Sequence, residues 1–249
     1  MHNWTDLENA LTTAEEKARE QGDESLYYFN YHKERYIFDA FLIKNIIEST
    51  NLSSLESIKA IDIGPAFQTD IFRKVFPEFE MDVLVKENSS GKEADNISNT
   101  KILEFDLNDS FYPGKWIQVD KKYDIITMLE VIEHLYTRPE QVLEFVSSLL
   151  TSNGFLIVQT PNGVSLPYRI RMLLGRNPFM MINETRDSHY REYTRKELIE
   201  IGLRSGLKVH SVHMNNVMST GSLSSRIFNK FSSLMPQDLR KNITIIFQK

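Results

Sequence analysis

Tyr123-Asp124-Ile125-Ile126-Thr127-Met128-Leu129 is a short run dominated by apolar and β-branched side chains, and it ends in Glu130-Val131-Ile132-Glu133-His134-Leu135. A strand buried on both faces reads this way, nearly continuous in apolar residues and polar only where it leaves the sheet. The pattern recurs on either side. Upstream, Ala60-Ile61-Asp62-Ile63 reaches Gly64, and Thr69 to Phe76 then reads as a helix halted at Pro77. Met81 to Val85 predicts a second strand, and Lys101 to Phe105 a third that delivers Asp106.

Downstream, Pro139 suits the first turn of a helix whose Val142, Phe145, Val146, Leu149 and Leu150 share one face. Thr151-Ser152-Asn153-Gly154 reads as its closing turn before a strand at Phe155 to Gln159. Thr194 and Glu197 form a Thr-x-x-Glu capping box for a late helix that Gly206 can stop. Leu207 to Val212 and Ile243 to Phe247 supply the last two strands. Alternating strands and helices predict an α/β fold, a doubly wound, mostly parallel seven-stranded sheet with helices on both faces. Such sheets bind ligands outside the carboxyl ends of their strands.

Three regions are expected. Residues 1–50 form a helical appendage, with a polar start and a helix from about His32 to Glu48. Residues 51–215 form the core, interrupted by a lid at about 163–190, and residues 216–249 complete it. The segment Gly221 to Lys241 mixes Ile227, Phe228, Phe231, Leu234 and Met235 with Ser, Lys and Arg; it could cover the sheet, extend the lid or join two subunits, and the oligomeric state stays open.

Composition excludes several classes. With 41% hydrophobic residues and only ten Gly and eight Pro in 249 positions, the chain is a folded one. A net charge of −5 gives no general field for nucleic acid, so none is expected as a partner. The lack of cysteine removes disulfide scaffolds, thiolate zinc sites and cysteine nucleophiles. The first 21 residues have no apolar stretch of signal-peptide length, and nowhere do eighteen apolar residues run together. A cytoplasmic protein without a transmembrane segment is expected.

Gly64, at the first strand end, lets the chain turn tightly and approach a ligand. A dinucleotide loop wants three glycines and free N–H donors for a pyrophosphate, whereas here Ala66 and Gln68 follow and Pro65 has no N–H. That argues against NAD and FAD, and with them a dehydrogenase.

From Asp62-Ile63-Gly64 through the Glu130–His134 segment to His189-Tyr190-Arg191-Glu192-Tyr193-Thr194, the sequence resembles the class I S-adenosylmethionine-dependent methyltransferases of small-molecule type, over roughly residues 55 to 215. Asp62 and Gly64 match the family's first motif, while Ala66 and Gln68 depart from its glycines. The resemblance implies a Rossmann-like sheet and S-adenosylmethionine as cofactor. It implies that Asp62, Gly64 and Ala66 line the cofactor loop, that Asp106 meets the adenine amino group with apolar contact from Phe105 or Leu107, and that Glu130 faces the cofactor or the substrate mouth. Glu87, twenty-three positions beyond Gly64, is near the spacing at which an acid accepts from ribose hydroxyls.

Bland readings stand beside these: Asp62 and Asp106 as turn caps, Glu87 as a solvated charge, and His134 or His189, His189 above all, as a loop tether. A hydroxyl acceptor must lose a proton, and His134 and His189 are the candidate catalytic bases. A metal site could draw on Glu130, Glu133 and His134, but neighbouring residues diverge on regular structure, so no metal is assigned. The lid carries Leu166-Pro167-Tyr168-Arg169-Ile170-Arg171-Met172-Leu173-Leu174-Gly175-Arg176, a mixture that suits an acceptor-side cap, peripheral contact with an anionic membrane, or plain core packing. The expected activity is methyl transfer to a small-molecule acceptor, such as a sugar or lipid-linked intermediate. The alternative is a noncatalytic methyltransferase-like binding module, favoured by Ala66 and Gln68.

Overall fold

The computed structural model describes residues 4–86, 100–182, 188–217 and 235–249. Seven strands form one sheet: β1 (Ile58–Ile63), β2 (Phe79–Val85), β3 (Ile102–Glu104), β4 (Tyr123–Leu129), β5 (Leu150–Pro161), β6 (Lys208–Asn215) and β7 (Asn242–Gln248). Their spatial order is β3-β2-β1-β4-β5-β7-β6. The first five pair in parallel, whereas β7 runs antiparallel to both neighbours. The sheet is thus the expected seven-stranded, mostly parallel one. Its last strand in sequence lies between β5 and β6, where Ile243, Ile245 and Phe247 are fully buried.

Period two along the strands divides the core. Ile61, Ile63, Ile126, Met128, Leu156 and Val158 face a cluster completed by α4 (Pro139–Leu149) and α6 (Arg195–Arg204). Ala60, Ile125, Leu129 and Ile157 face the opposite cluster, built by α1 (Trp4–Gln21), α2 (Asp23–Ser49) and α3 (Phe67–Val75). Each fully buried Phe or Ile of that layer stabilises the fold by about 1.5–3 kcal/mol.

α2 begins nine residues before the expected His32. Phe29, His32, Tyr36, Ala40, Ile43 and Ile47 recur at three and four residues on its buried side, so the aromatic cluster ahead of His32 belongs to the helix. Gly22, at φ 112, separates it from α1. Ala10, Ala14 and Ala18 give α1 a buried stripe of small side chains, and Lys17 pairs with Asp70 of α3 at 2.6 Å.

The Thr151–Gly154 segment, expected as a turn, is extended and belongs to β5. Leu150 pairs with Tyr123, and a register shift between Tyr123 and Ile125 absorbs the extra residues. Gly154 permits this, because a Cβ there would lie 2.9 Å from the Tyr123 carbonyl oxygen.

The segment expected as a lid contains α5 (Leu166–Leu173), none of whose residues is buried. Leu173 is 86% exposed and Met181 84%. Residues 183–187 of the lid and residues 221–234 of the Gly221–Lys241 segment lie outside the described residues. Among the described residues no helix is long and apolar enough to cross a membrane.

Candidate active site

Strand order reverses between β1 and β4, so the crevice at their carboxyl ends is where an open α/β sheet places a ligand. Gly64 leaves β1 at φ +75, and a Cβ there would meet Val131 Cγ2 at 2.8 Å. Both the backbone angle and the close approach of the β4 end require glycine. Ala66 precedes α3 in extended conformation, and no N-cap side chain bonds to the first turn of that helix.

Asp62 is completely buried. Its Oδ1 accepts from Thr127 Oγ1 at 2.6 Å, across the β1–β4 register, and its Oδ2 accepts from Thr69 Oγ1 at 2.5 Å and Gln68 Nε2 at 3.3 Å. Burial pushes its pKa up to about 6, against the hydrogen bonds from Thr127 and Thr69. The carboxylate therefore fixes the loop from inside rather than standing at its mouth. Gln68 does likewise, donating also to the Gly64 carbonyl at 3.2 Å, so the side chain that replaces a family glycine is folded inward.

Beneath the crevice, α2 contributes a buried Arg35, 1% exposed, with Nε and Nη1 lacking hydrogen-bond partners and its guanidinium 5.1 Å from the Tyr36 ring. Burial disfavours the cation, yet Tyr36, Glu130 and Asp39 hold its pKa above the ordinary value. Asp39, also fully buried, accepts from Gln159 Nε2 at 2.9 Å, and burial raises its pKa to about 7 despite Arg35. On the same helix burial, aided by Arg35, lowers His32 to about 3 and keeps its ring neutral.

The end of β4 is irregular. Glu130 has φ 57, the left-handed region that costs a non-glycine residue of order 1–3 kcal/mol. A tight turn at Ile132–His134 follows. Of the three residues weighed for a metal, Glu133 and His134 each place a ligand atom within 4.8 Å of the other and of one from His189, whereas Glu130 is not among that group. The Glu133 carbonyl accepts from the Tyr190 and Arg191 N–H groups at 2.8 and 3.2 Å, which brings the distal end of the lid back against β4. His134 and His189 consequently lie edge to face, with ring centroids 4.9 Å apart. His134 Nδ1 is 3.2 Å from the Ser188 carbonyl oxygen, and His189 Nδ1 is 3.1 Å from Glu192 Oε1. Both rings are tethered through Nδ1, the structural role weighed for either of them.

Glu133 is fully buried; its Oε2 accepts from Thr160 Oγ1 at 3.0 Å, while no N–H or hydroxyl donor reaches its Oε1. Burial raises the pKa of Glu130 and of Glu133; the Glu133 carboxyl raises Glu130 further, whereas the hydrogen bond from Glu130 works against the rise at Glu133. Glu130, Glu133, His134 and His189 line one cavity of about 700 Å³, closed by Tyr28, Tyr31 and His32 of α2 and by Tyr168 and Met180 of the lid.

Asp106 and Leu107 lie apart from that cavity. Asp106 caps the turn Leu107–Phe111 and pairs with Lys86 at 2.6 Å. Burial works against its ionised form, but bonds from Lys86 and Asn108 prevail and lower its pKa. It borders a larger groove of about 860 Å³, lined also by Tyr112, Tyr136 and Arg138, whereas Leu107 is buried. Glu87 lies outside the described residues.

Arg35, Asp39, Thr127, Gln159 and Glu192 were not among the residues singled out from sequence. The i, i+4 spacing of Arg35 and Asp39 within an otherwise apolar helix face was the available signal, since unpaired charges are seldom placed there.

A family model described as a methyltransferase domain matches residues 85–212, just over half of the chain. No curated protein matches the sequence. Among solved structures, the plantazolicin methyltransferase BamL, crystallised with a triazolic desmethylPZN analog and SAH, is 16% identical, with TM-score 0.56 over 98% of this chain and 99% of that one. A SAM-dependent methyltransferase from Archaeoglobus fulgidus is 16% identical, with TM-score 0.52 over 90% and 100%. The CurJ carbon methyltransferase is 14% identical, with TM-score 0.55 over 86% and 53%. At such identities the likeness is one of fold.

Proposed function

The chain belongs to the methyltransferase-domain family whose model matches residues 85–212, and from that premise we propose that it transfers a methyl group from S-adenosylmethionine to a small-molecule acceptor held in the cavity at the β4 end. The observation that carries this is Gly64, whose left-handed φ of +75 and 2.8 Å Cβ approach to Val131 leave a cradle that any side chain would fill. Bound there, S-adenosylmethionine supplies a methyl group on a sulfonium centre, open to a single in-line displacement.

The residues present fit that group. Gly64 and Ala66 let the backbone approach it, and Asp62, locked by Thr69 and Thr127, holds their loop in shape. Arg35, with two guanidinium nitrogens unpartnered, is the buried cation for the methionyl carboxylate. Asp106 and Leu107 serve the adenine, an acceptor carboxylate beside an apolar contact, and Glu87 keeps its proposed place at the ribose. Glu130 separates the cofactor end of the crevice from the acceptor cavity.

On the acceptor side the protein's task is alignment, worth far more than any single contact in a displacement of this kind. His134 and His189, tethered through Nδ1, present two rigid rings to the acceptor's nucleophilic atom. The exposed Leu173, Leu174, Met181 and Ile182, beside Arg169, Arg171 and Arg176, support an amphipathic acceptor, such as a lipid-linked sugar, or peripheral contact with an anionic membrane. A cytoplasmic setting is part of the proposal, supported by the absence of cysteine. The inward fold of Gln68 supports catalysis over a noncatalytic module, because the altered motif leaves the loop mouth open.

Calorimetric titration with S-adenosylmethionine and S-adenosylhomocysteine, with NAD as control, tests this. Saturable binding of the first two and none of NAD is expected; binding of neither would transfer the assignment to the noncatalytic module.

A further inference from the structure

We propose that Glu133, His134 and His189 hold a divalent transition-metal cation that faces the acceptor cavity. One ligand atom from each lies within 4.8 Å of the other two. A cation at about 2.0–2.2 Å from each ligand needs those atoms roughly 3.5 Å apart, so side-chain adjustments of about 1 Å close the site.

Three independent features describe a built site. Glu133 is completely buried, and apart from the neighbouring Glu130 carboxyl no hydrogen-bond donor reaches its Oε1, a crowding of two carboxyls that a cation would relieve. His189 Nδ1 meets the Glu192 carboxylate, and Glu192 is itself fixed by the Tyr168 hydroxyl at 3.1 Å. His134 Nδ1 meets a backbone carbonyl. Carboxylate-to-imidazole and carbonyl-to-imidazole tethers are the outer partners that orient metal-bound histidines, which coordinate through the other ring nitrogen.

The donor set selects the ion. Two imidazoles and one carboxylate suit zinc, or cobalt in its place, better than magnesium, calcium or manganese, which prefer oxygen ligands. Three protein ligands leave at least one position open toward the cavity that Tyr168 and Met180 close from the lid. Placing an acceptor there rests on the methyltransferase reading, and it narrows the acceptor to one that attacks through oxygen. The cation would lower the pKa of a hydroxyl, whose proton passes to water while the oxygen bonds the methyl carbon and the carbon–sulfur electron pair stays on sulfur. His134 and His189 then act as ligands and not as bases.

The test is titration of chelator-stripped protein with Co²⁺, read by visible absorption, and with Zn²⁺, read by calorimetry. One equivalent should bind, with at least a tenfold loss of affinity in His189→Ala and in His134→Ala, and about tenfold in Glu192→Gln. No saturable binding of either ion, or affinity unchanged in both histidine variants, overturns the proposal. Circular dichroism of each variant confirms that the fold is kept. S-adenosylhomocysteine is titrated in parallel: its failure to bind beside an intact cation site would strike the methyltransferase reading and leave the metal site supported.

Discussion

Replacing Gly64 by alanine tests the cradle most directly. An L-residue at φ +75 costs roughly 1–2 kcal/mol relative to glycine. The new methyl would also stand 2.8 Å from Val131 Cγ2. Because Val131 is only half-buried and the obstructing atom ends a side chain, part of that contact can relax, and the total destabilisation should be about 1–3 kcal/mol. For a domain of this size that corresponds to a melting temperature lower by roughly 2–10 °C. The larger effect falls on the ligand, because the methyl occupies the surface the cofactor approaches: S-adenosylhomocysteine affinity should drop at least tenfold, an estimated 1.4 kcal/mol or more. Melting curves and calorimetry on wild type, Gly64→Ala and Gly64→Ala/Val131→Ala separate the two causes. The double variant should regain part of the stability, since the clash is gone, but little of the affinity. Wild-type affinity in Gly64→Ala would refute the reasoning outright, and no recovery of stability on removing Val131 would show that the contact is not the one responsible.

Asp62, raised to about 6 by burial, takes up protons in the native state between about pH 4 and 6 that its unfolded counterpart does not. Its contribution favours folding at the acid end and is lost as pH rises through 6. Urea unfolding of wild type against Asp62→Asn should therefore show the wild type losing about 2 kcal/mol relative to the variant between about pH 4.5 and 7.5, and an opposite slope would sink this account. Thr127→Val removes the 2.6 Å donor to Asp62 and should cost about 1–3 kcal/mol in the same assay, with no change meaning that the bond is not formed. Gly202→Ala puts a Cβ 2.2 Å from the Phe247 ring, so helix α6 must shift off β7; a loss of roughly 1–3 kcal/mol is expected, and Phe247→Leu beside it should restore part. Leu173→Ser, at a side chain 86% exposed, should change stability by less than about 0.5 kcal/mol, whereas a large loss would place the lid in the core.

The sheet was legible because burial on both faces leaves a local record. Val, Ile, Leu and Met must fill a strand such as Tyr123–Leu129, and turn residues must bound it, wherever its neighbours lie. Gly64, Pro139 and the Thr194–Glu197 box likewise act through their own backbone. The residues that looked chemical, Asp62, Gly64, Glu130, His134 and His189, were visible as types at strand ends. Their work was not. Asp62 reads the same whether it faces a ligand or is sealed behind Thr69 and Thr127, and only the β1–β4 register decides between them.

The cavity at the β4 end, and the buried charges near it, belong to tertiary structure altogether. Arg35 and Asp39 come from an N-terminal helix that sequence set aside as an appendage, and they meet Glu130 and Gln159 through packing more than ninety positions away. His134 and His189 are brought into contact by two backbone bonds onto the Glu133 carbonyl, after a left-handed residue at Glu130 has broken the regular structure on which their side chains would have diverged. Strand and helix periods are set by short-range sterics and so are written in short stretches of sequence, whereas a cluster of buried charge is held by long-range contacts that no local pattern encodes.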